Sequence, residues 1–142
     1  MSKSPLPDRT STEAADLLVQ SAFTVMALVS QVATEHDVSL TLMRVLAILR
    51  DHEPKINELA AHLGLERSSV SGLVDRAVKK GLVRRETSGE DARAVRLSLT
   101  AQGHRLADEA AARITGLLDP MTSRLTSAER AQLAVLLARL WS

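Results

Sequence analysis

The residues whose types and spacing invite chemistry lie between positions 67 and 96. From Arg67 to Lys79 the chain has two faces at helical spacing. Val70, Leu73, Val74 and Ala77 form an apolar stripe. Opposite stand Ser68, Gly72, Asp75 and Lys79, flanked by Ser69, Ser71 and Arg76, with Arg67 near the start. Serine is a poor interior helix former, so a cluster of serines on one face needs a reason. Short hydroxylated side chains sit close to base edges and exchange hydrogen bonds with them, and a glycine lets the backbone approach further. The blander account is a soluble helix with incidental serines.

A second group of candidates follows. Arg84, Arg85 and Arg96 are placed to line a phosphate backbone, which sets affinity and register rather than sequence choice. Residues 88–93 form a polar hairpin loop with Arg93 at its tip, suited to a minor groove, where narrow width deepens the negative potential. Asp91 would orient an arginine through a charge-assisted pair. A merely solvated basic hairpin is the alternative.

Other chemistry is poorly represented. There is no cysteine, which removes disulfides, thiol catalysis and thiol redox sensing. His36, His52, His62 and His104 do not pair at metal-ligand spacing; His104 and Asp108 share a helix face, but two ligands do not close a site. No Ser/His/Asp order, phosphate-binding glycine loop or carboxylate pair stands out. The chain is expected to be no enzyme and to need no cofactor and no metal.

The elements that must position these residues follow from periodicity. Residues 1–9, with Pro5 and Pro7, read as a flexible N-terminal arm. Thr10-Ser11-Thr12-Glu13 has capping-box spacing and should open a first helix running to about Glu35. Within it, Leu17 to Thr34 lacks charge, but Glu13, Asp16, Gln20, Thr24, Gln31, Thr34 and Glu35 fall on one stripe. That pattern describes a helix buried on several sides with one wet edge rather than a membrane span. A second helix starts at Ser39 or Thr41, with Leu42, Val45, Leu46 and Leu49 in register. A short third covers Ile56 to Leu63, with Lys55 where a small capping residue is usual. Gly64 marks a tight turn and Gly81 a helix end.

The period then changes from 3.6 to 2, giving strands over Leu82–Thr87 and Ala94–Leu99. Thr100 caps a fifth helix, and Thr126 to Glu129 is a capping box for a sixth, with Leu133, Leu136, Leu137 and Leu140 in a stripe. The fold class is therefore mainly α with a two-stranded β wing. A winged helix-turn-helix spans residues 41–100, with its helix pair at about 56–80. Two helical segments, 10–36 and 101–141, form a dimerisation region within a single domain over 10–142. The first and sixth helices carry more apolar surface than a monomer of this size would readily hide; a monomer with a helical clamp is the alternative.

Charge supports this division. Residues 66–105 hold nine Lys/Arg against five Asp/Glu, whereas residues 1–65 hold five against eight. A basic middle is the one-dimensional form of a phosphate-binding surface, or of a solvated basic face. No signal peptide is indicated, and a cytoplasmic location without membrane attachment is expected. Met26 and Met43 would line a ligand cavity or, more commonly, fill core.

Ile56-Asn57-Glu58-Leu59-Ala60, the run Val74-Asp75-Arg76 through Lys80-Gly81-Leu82-Val83, Asp91-Ala92-Arg93 and Leu99-Thr100-Ala101-Gln102-Gly103 together resemble the MarR family of transcription regulators, over almost the whole chain. The resemblance implies a triangular homodimer with helices 1, 5 and 6 interlocked, bound to a pseudo-palindromic double-stranded DNA operator. It implies a repressor released by a small aromatic effector. The reading surface would be Arg67, Ser68, Ser69, Ser71, Gly72, Arg76 and Lys79 in the major groove, with Asp91 and Arg93 at the minor groove. The effector pocket would be lined by Phe23, Met26, Met43 and Leu46. Two departures stand out: Gly72 replaces a larger polar residue, and Lys55 a hydroxylated cap. A winged-helix module that binds protein and not DNA is the competing function.

Overall fold

The computed structural model describes residues 8–88 and 91–142, excepting the side chains of residues 88 and 91–94. Six helices and one hairpin follow in the order α1 (Arg9–Glu35), α2 (Leu40–Asp51), α3 (Ile56–Leu63), α4 (Arg67–Lys79), β1 (Val83–Ser88), β2 (Asp91–Leu99), α5 (Ala101–Thr122) and α6 (Ser127–Arg139). The arm expected over residues 1–9 falls outside the described residues up to residue 7.

The helix ends follow local chemistry. Ser39 caps α2 by accepting from the Leu42 N–H at 3.1 Å, and Thr100 caps α5 by accepting from the Gly103 N–H at 3.0 Å. Thr126 and Glu129 form a reciprocal box at α6, each side chain accepting from the other's N–H, at 3.2 and 2.9 Å. At α3 only half a box exists. Glu58 accepts from the Lys55 N–H at 3.1 Å, but an ammonium has no acceptor to return. The expected opening of α1 is corrected. The helix begins at Arg9 behind Asp8, whose carbonyl accepts from Thr12 at 3.1 Å, so the Thr10–Glu13 box lies inside the first turn.

Gly64 turns the chain from α3 to α4 with φ of 66°, a backbone that side chains with a Cβ resist. β1 and β2 pair antiparallel, with Val83 opposite Leu99, Arg85 opposite Leu97 and Thr87 opposite Val95. The second strand is longer than the alternation indicated. Its backbone pairs back to Asp91 opposite Ser88, with an irregularity after Thr87, so Arg93 belongs to a strand and not to a loop tip. A short bridge joins Lys55 to Arg96, and the Leu97 N–H donates to the Pro54 carbonyl at 3.0 Å, fastening the hairpin to the entrance of α3.

The core sits between α2, α3, α4 and the hairpin, with contributions from α1 and α5. Leu46, Leu59, Leu97, Val45, Val70 and Val74 are fully buried, and no polar side chain is buried with them among the described residues. The outer helices behave differently. Of 27 residues in α1, only Val32 and Ala33 are buried, and α6 buries none. The expectation that α1 is covered on several sides therefore fails within one chain: Leu17, Leu18, Val19 and Phe23 are exposed. By length and composition α1 is also apolar enough to cross a membrane.

α1 is tied to the rest near its end. Arg113 of α5 donates from Nε and Nη2 to the two oxygens of Glu35, both at 3.2 Å. This forked hydrogen bond holds the Glu35 carboxyl below its usual range and raises the guanidinium in turn. Beyond the helix, the ammonium of Lys80 donates to the Asp37 carbonyl at 2.6 Å, linking the end of α4 to the α1–α2 turn.

Candidate nucleic-acid interface

α4 presents its apolar stripe inward because Val70, Leu73, Val74 and Ala77 recur at three- and four-residue spacing. The remaining circumference faces solvent: Arg67, Ser68, Ser69, Asp75, Arg76 and Lys79 are exposed, and Ser71 and Gly72 are half-buried. All seven residues proposed for the helix therefore sit on α4. A Cβ built on Gly72 would meet only the Arg76 Nη1, at 3.9 Å, an ordinary contact. Nothing among the described residues requires a glycine there.

The wing is braced to this helix. Arg85 of β1 donates to the Asp75 carboxylate of α4, both partners being substantially solvated. Arg84 lies 3.5 Å from Glu86, and Arg96 donates to the Glu53 carbonyl at 3.2 Å. The three arginines expected to line a phosphate backbone thus each have a partner within the chain. Arg67, Arg76 and Lys79 form no ion pair among the described residues, which leaves them as the open positive charge of the α4 face. The side chains of Asp91 and Arg93 lie outside the described residues.

A cavity of about 600 Å³ opens behind the helix pair. Its walls come from α1, α2 and α5 and from Leu63 and Leu65 on either side of the α3–α4 turn. Met26 and Met43 line it. Phe23 and Leu46 do not: Phe23 is 70% exposed near the middle of α1, and Leu46 is sealed in the core. The polar lining, Thr41, Arg44 and Arg50, escaped sequence reasoning. One signal was available, since Arg44 and Arg50 interrupt the otherwise apolar run of α2.

The histidines are dispersed. His36 packs its Nδ1 2.9 Å from the Val32 carbonyl and its Nε2 3.9 Å from Glu109, while His52, His62 and His104 are exposed. Among the described residues no three His, Cys, Asp or Glu side chains converge.

Residues 36–94 match the model of the MarR family. Over 71 residues the chain is 37% identical to the HTH-type transcriptional regulator YfiV of Bacillus subtilis, spanning 49% of this chain and 44% of that protein. Over 97 residues it is 33% identical to the HTH-type transcriptional repressor MdtR of Bacillus subtilis, 68% of this chain and 63% of that one. The chain thus spans about half the length of the curated relatives it matches. In fold, it superposes on NadR, crystallised in complex with 4-hydroxyphenylacetate, with a TM-score of 0.78 at 24% identity, over 99% of this chain and 96% of that one.

Proposed function

Through its winged helix-turn-helix this chain belongs to the MarR family, and from that premise we propose that it is a homodimeric, sequence-specific DNA-binding transcription regulator of the cytoplasm. It acts as a repressor released by a small aromatic ligand. The observation that carries the reading is the α4 face, where small hydroxylated residues and three cations without ion-pair partners among the described residues stand exposed beside a braced wing. In this reading Arg67, Ser68, Ser69, Ser71 and Gly72 approach base edges in the major groove, and Arg76 and Lys79 hold phosphates. Asp91 and Arg93 serve the minor groove. MdtR is itself named a repressor, which supports the direction of regulation.

The dimer is supported by what one chain leaves uncovered. Leu133, Leu136 and Leu137 of α6 and Leu140 at its C-cap recur at helical spacing, and all are exposed. Both aromatic residues, Phe23 and Trp141, are exposed on these outer segments, Trp141 by 86%. Aromatic anchors of this kind concentrate binding energy at interfaces. A two-fold pair would set two copies of α4 about 34 Å apart, one duplex turn.

The test is a titration of purified protein against duplex from the DNA flanking its coding region and against random duplex. Preference for the flanking duplex is expected, with affinity falling steeply as salt rises because condensed counterions are released. Arg76→Ala should weaken binding to both and flatten the salt dependence by about one unit of slope, as the loss of one phosphate contact requires. Equal binding to both duplexes at low salt would sink the reading.

A further inference from the structure

The side chain of Arg76 lies back along α4. A Cβ placed at Gly72, one turn earlier, would stand 3.9 Å from the Arg76 Nη1 and would meet no other side chain within 4 Å among the described residues. The guanidinium therefore occupies the ground that a longer side chain at position 72 would take. Helical side chains lean toward the N-terminus of their helix, which favours this direction. The surrounding charges favour it as well. Lys79 and Lys80 stand one turn further on, and like charges at that spacing repel. Asp75, the adjacent carboxylate, is taken by Arg85 of the wing.

Ser68, Gly72 and Arg76 recur at four-residue spacing and share one stripe of α4. A serine hydroxyl both donates and accepts, so it bonds to most base edges and discriminates little between them. A guanidinium discriminates well, because its planar fork matches the O6 and N7 acceptors of guanine in the major groove. This face of the helix carries two guanidinium groups. Arg67 is the first residue of α4, and Arg76, by leaning back over Gly72, comes to the middle.

We infer that Gly72 is a positioning residue: by carrying no side chain it brings the Arg76 guanidinium over the centre of the reading face, where Arg76 recognises a guanine. The inference rests on the DNA-binding reading above and adds to it the base that α4 selects. It also gives the bare position 72 a purpose, since the fork that reads there is supplied from one turn away. Arg76 keeps its phosphate: one edge of the guanidinium turns to the guanine, and the remaining N–H groups reach the backbone. Because the side chain already lies over the glycine in the free protein, less ordering is needed on binding.

The experiment titrates the full chain against the flanking duplex with each guanine in turn replaced by 7-deazaguanine, which pairs normally but lacks the N7 acceptor. The unmodified chain should lose about tenfold in affinity at one guanine of each half-site, within the usual range for a forked contact. Gly72→Leu fills the ground over position 72 without removing charge. It should leave the salt dependence unchanged and bind the guanine and 7-deazaguanine duplexes within about twofold of each other; its melting temperature, no lower than that of the unmodified chain, confirms the fold. Gly72→Ala, whose Cβ makes only an ordinary contact, should keep the response. Arg76→Gln and Arg67→Gln each remove one charge and should flatten the salt dependence alike, by about one unit of slope. Of these two, Arg76→Gln alone should abolish the response at that guanine. A response that survives in Arg76→Gln or in Gly72→Leu overturns the proposal, and so does a flanking duplex that is preferred over random duplex yet indifferent to every 7-deazaguanine. If the unmodified chain does not distinguish flanking from random duplex at all, the DNA-binding reading itself fails and the proposal falls with it.

Discussion

In the lobe formed by α2, α3, α4 and the hairpin, Leu46, Leu59, Leu97, Val70 and Val74 are wholly buried; in α6 and at its C-cap, Leu133, Leu136, Leu137 and Leu140 are all exposed. Both regions are written in the same alphabet of leucine, valine and alanine at helical spacing. The difference lies in what closes them. The lobe covers its apolar stripes with its own elements. The outer helices are finished only at their ends, by the Thr126–Glu129 box and the Glu35–Arg113 fork. An apolar stripe in a sequence thus announces that a face will be covered, but not whether the cover comes from the same chain.

The sharpest way to break the lobe is at Gly103. A Cβ there would stand 2.0 Å from the Leu82 carbonyl oxygen, which is backbone and cannot step aside. Gly103→Ala should cost on the order of 3 kcal/mol, at the upper end of overpacking effects, measured by urea unfolding. An unfolding midpoint equal to that of the unmodified chain would show the joint to be pliable.

A second substitution tests the outer region. In an isolated chain, replacing exposed Leu137 would change stability by no more than about 0.5 kcal/mol. In a dimer, Leu137→Asp buries a charge in an apolar seam and should convert the sedimenting species to monomer. If the mass by analytical ultracentrifugation is the same for both proteins, the proposed contrast between self-closed and partner-closed regions is wrong.

Gly72 refines the comparison within the lobe. Like Gly103 it lies inside a helix, but its surroundings are open. Gly72→Ala should therefore stabilise the fold by about 0.5–1 kcal/mol, the helix cost of glycine, while weakening duplex binding by holding the α4 backbone away from the bases. A melting temperature that does not rise would mean that the glycine has an internal role after all.

The smallest effect concerns the tie between α1 and α5. The Arg113 guanidinium holds the Glu35 carboxyl below its ordinary 4.5, so the stabilising contribution is present above that value and is lost as pH falls through the lower folded-state value. Glu35→Gln should melt slightly earlier than the unmodified chain at neutral pH, with the two curves converging in acid. A gap that persists in acid would assign the effect to packing.

Much of this was legible from residues alone. The caps at Ser39, Thr100 and Thr126, the turn at Gly64 and the inward stripe of α4 are local events, decided within four residues, and local patterns report them faithfully. What stayed hidden depends on partners far away in sequence. The extension of β2 to Asp91 needs β1 opposite it, the bridge from Arg96 to Lys55 needs the chain before α3, and the bond from Arg44 to His62 crosses between helices. The family resemblance places Phe23 and Leu46 at a pocket; burial takes Leu46 into the core and exposure leaves Phe23 outside. The Asp75–Arg85 pair joins a helix to a strand and changed the roles of both residues, which no periodicity could announce.

The joint at the start of α5 has one further consequence. The Thr100 N–H bonds the Leu82 carbonyl at 3.0 Å, the Thr100 hydroxyl bonds the Gly81 carbonyl at 2.6 Å, and Gly103 lies flush against that same Leu82 oxygen. With no slack at this hinge, α5 acts as a lever fixed to the end of α4. At 1.5 Å per residue its 22 residues make an arm of roughly 33 Å, so a tilt of about 5° at one end carries the other about 3 Å. That is about the rise of one base pair. In a paired molecule, the number of base pairs between half-sites would be set by the angle at which α5 leaves Thr100, and minor repacking far from any DNA would be enough to change it.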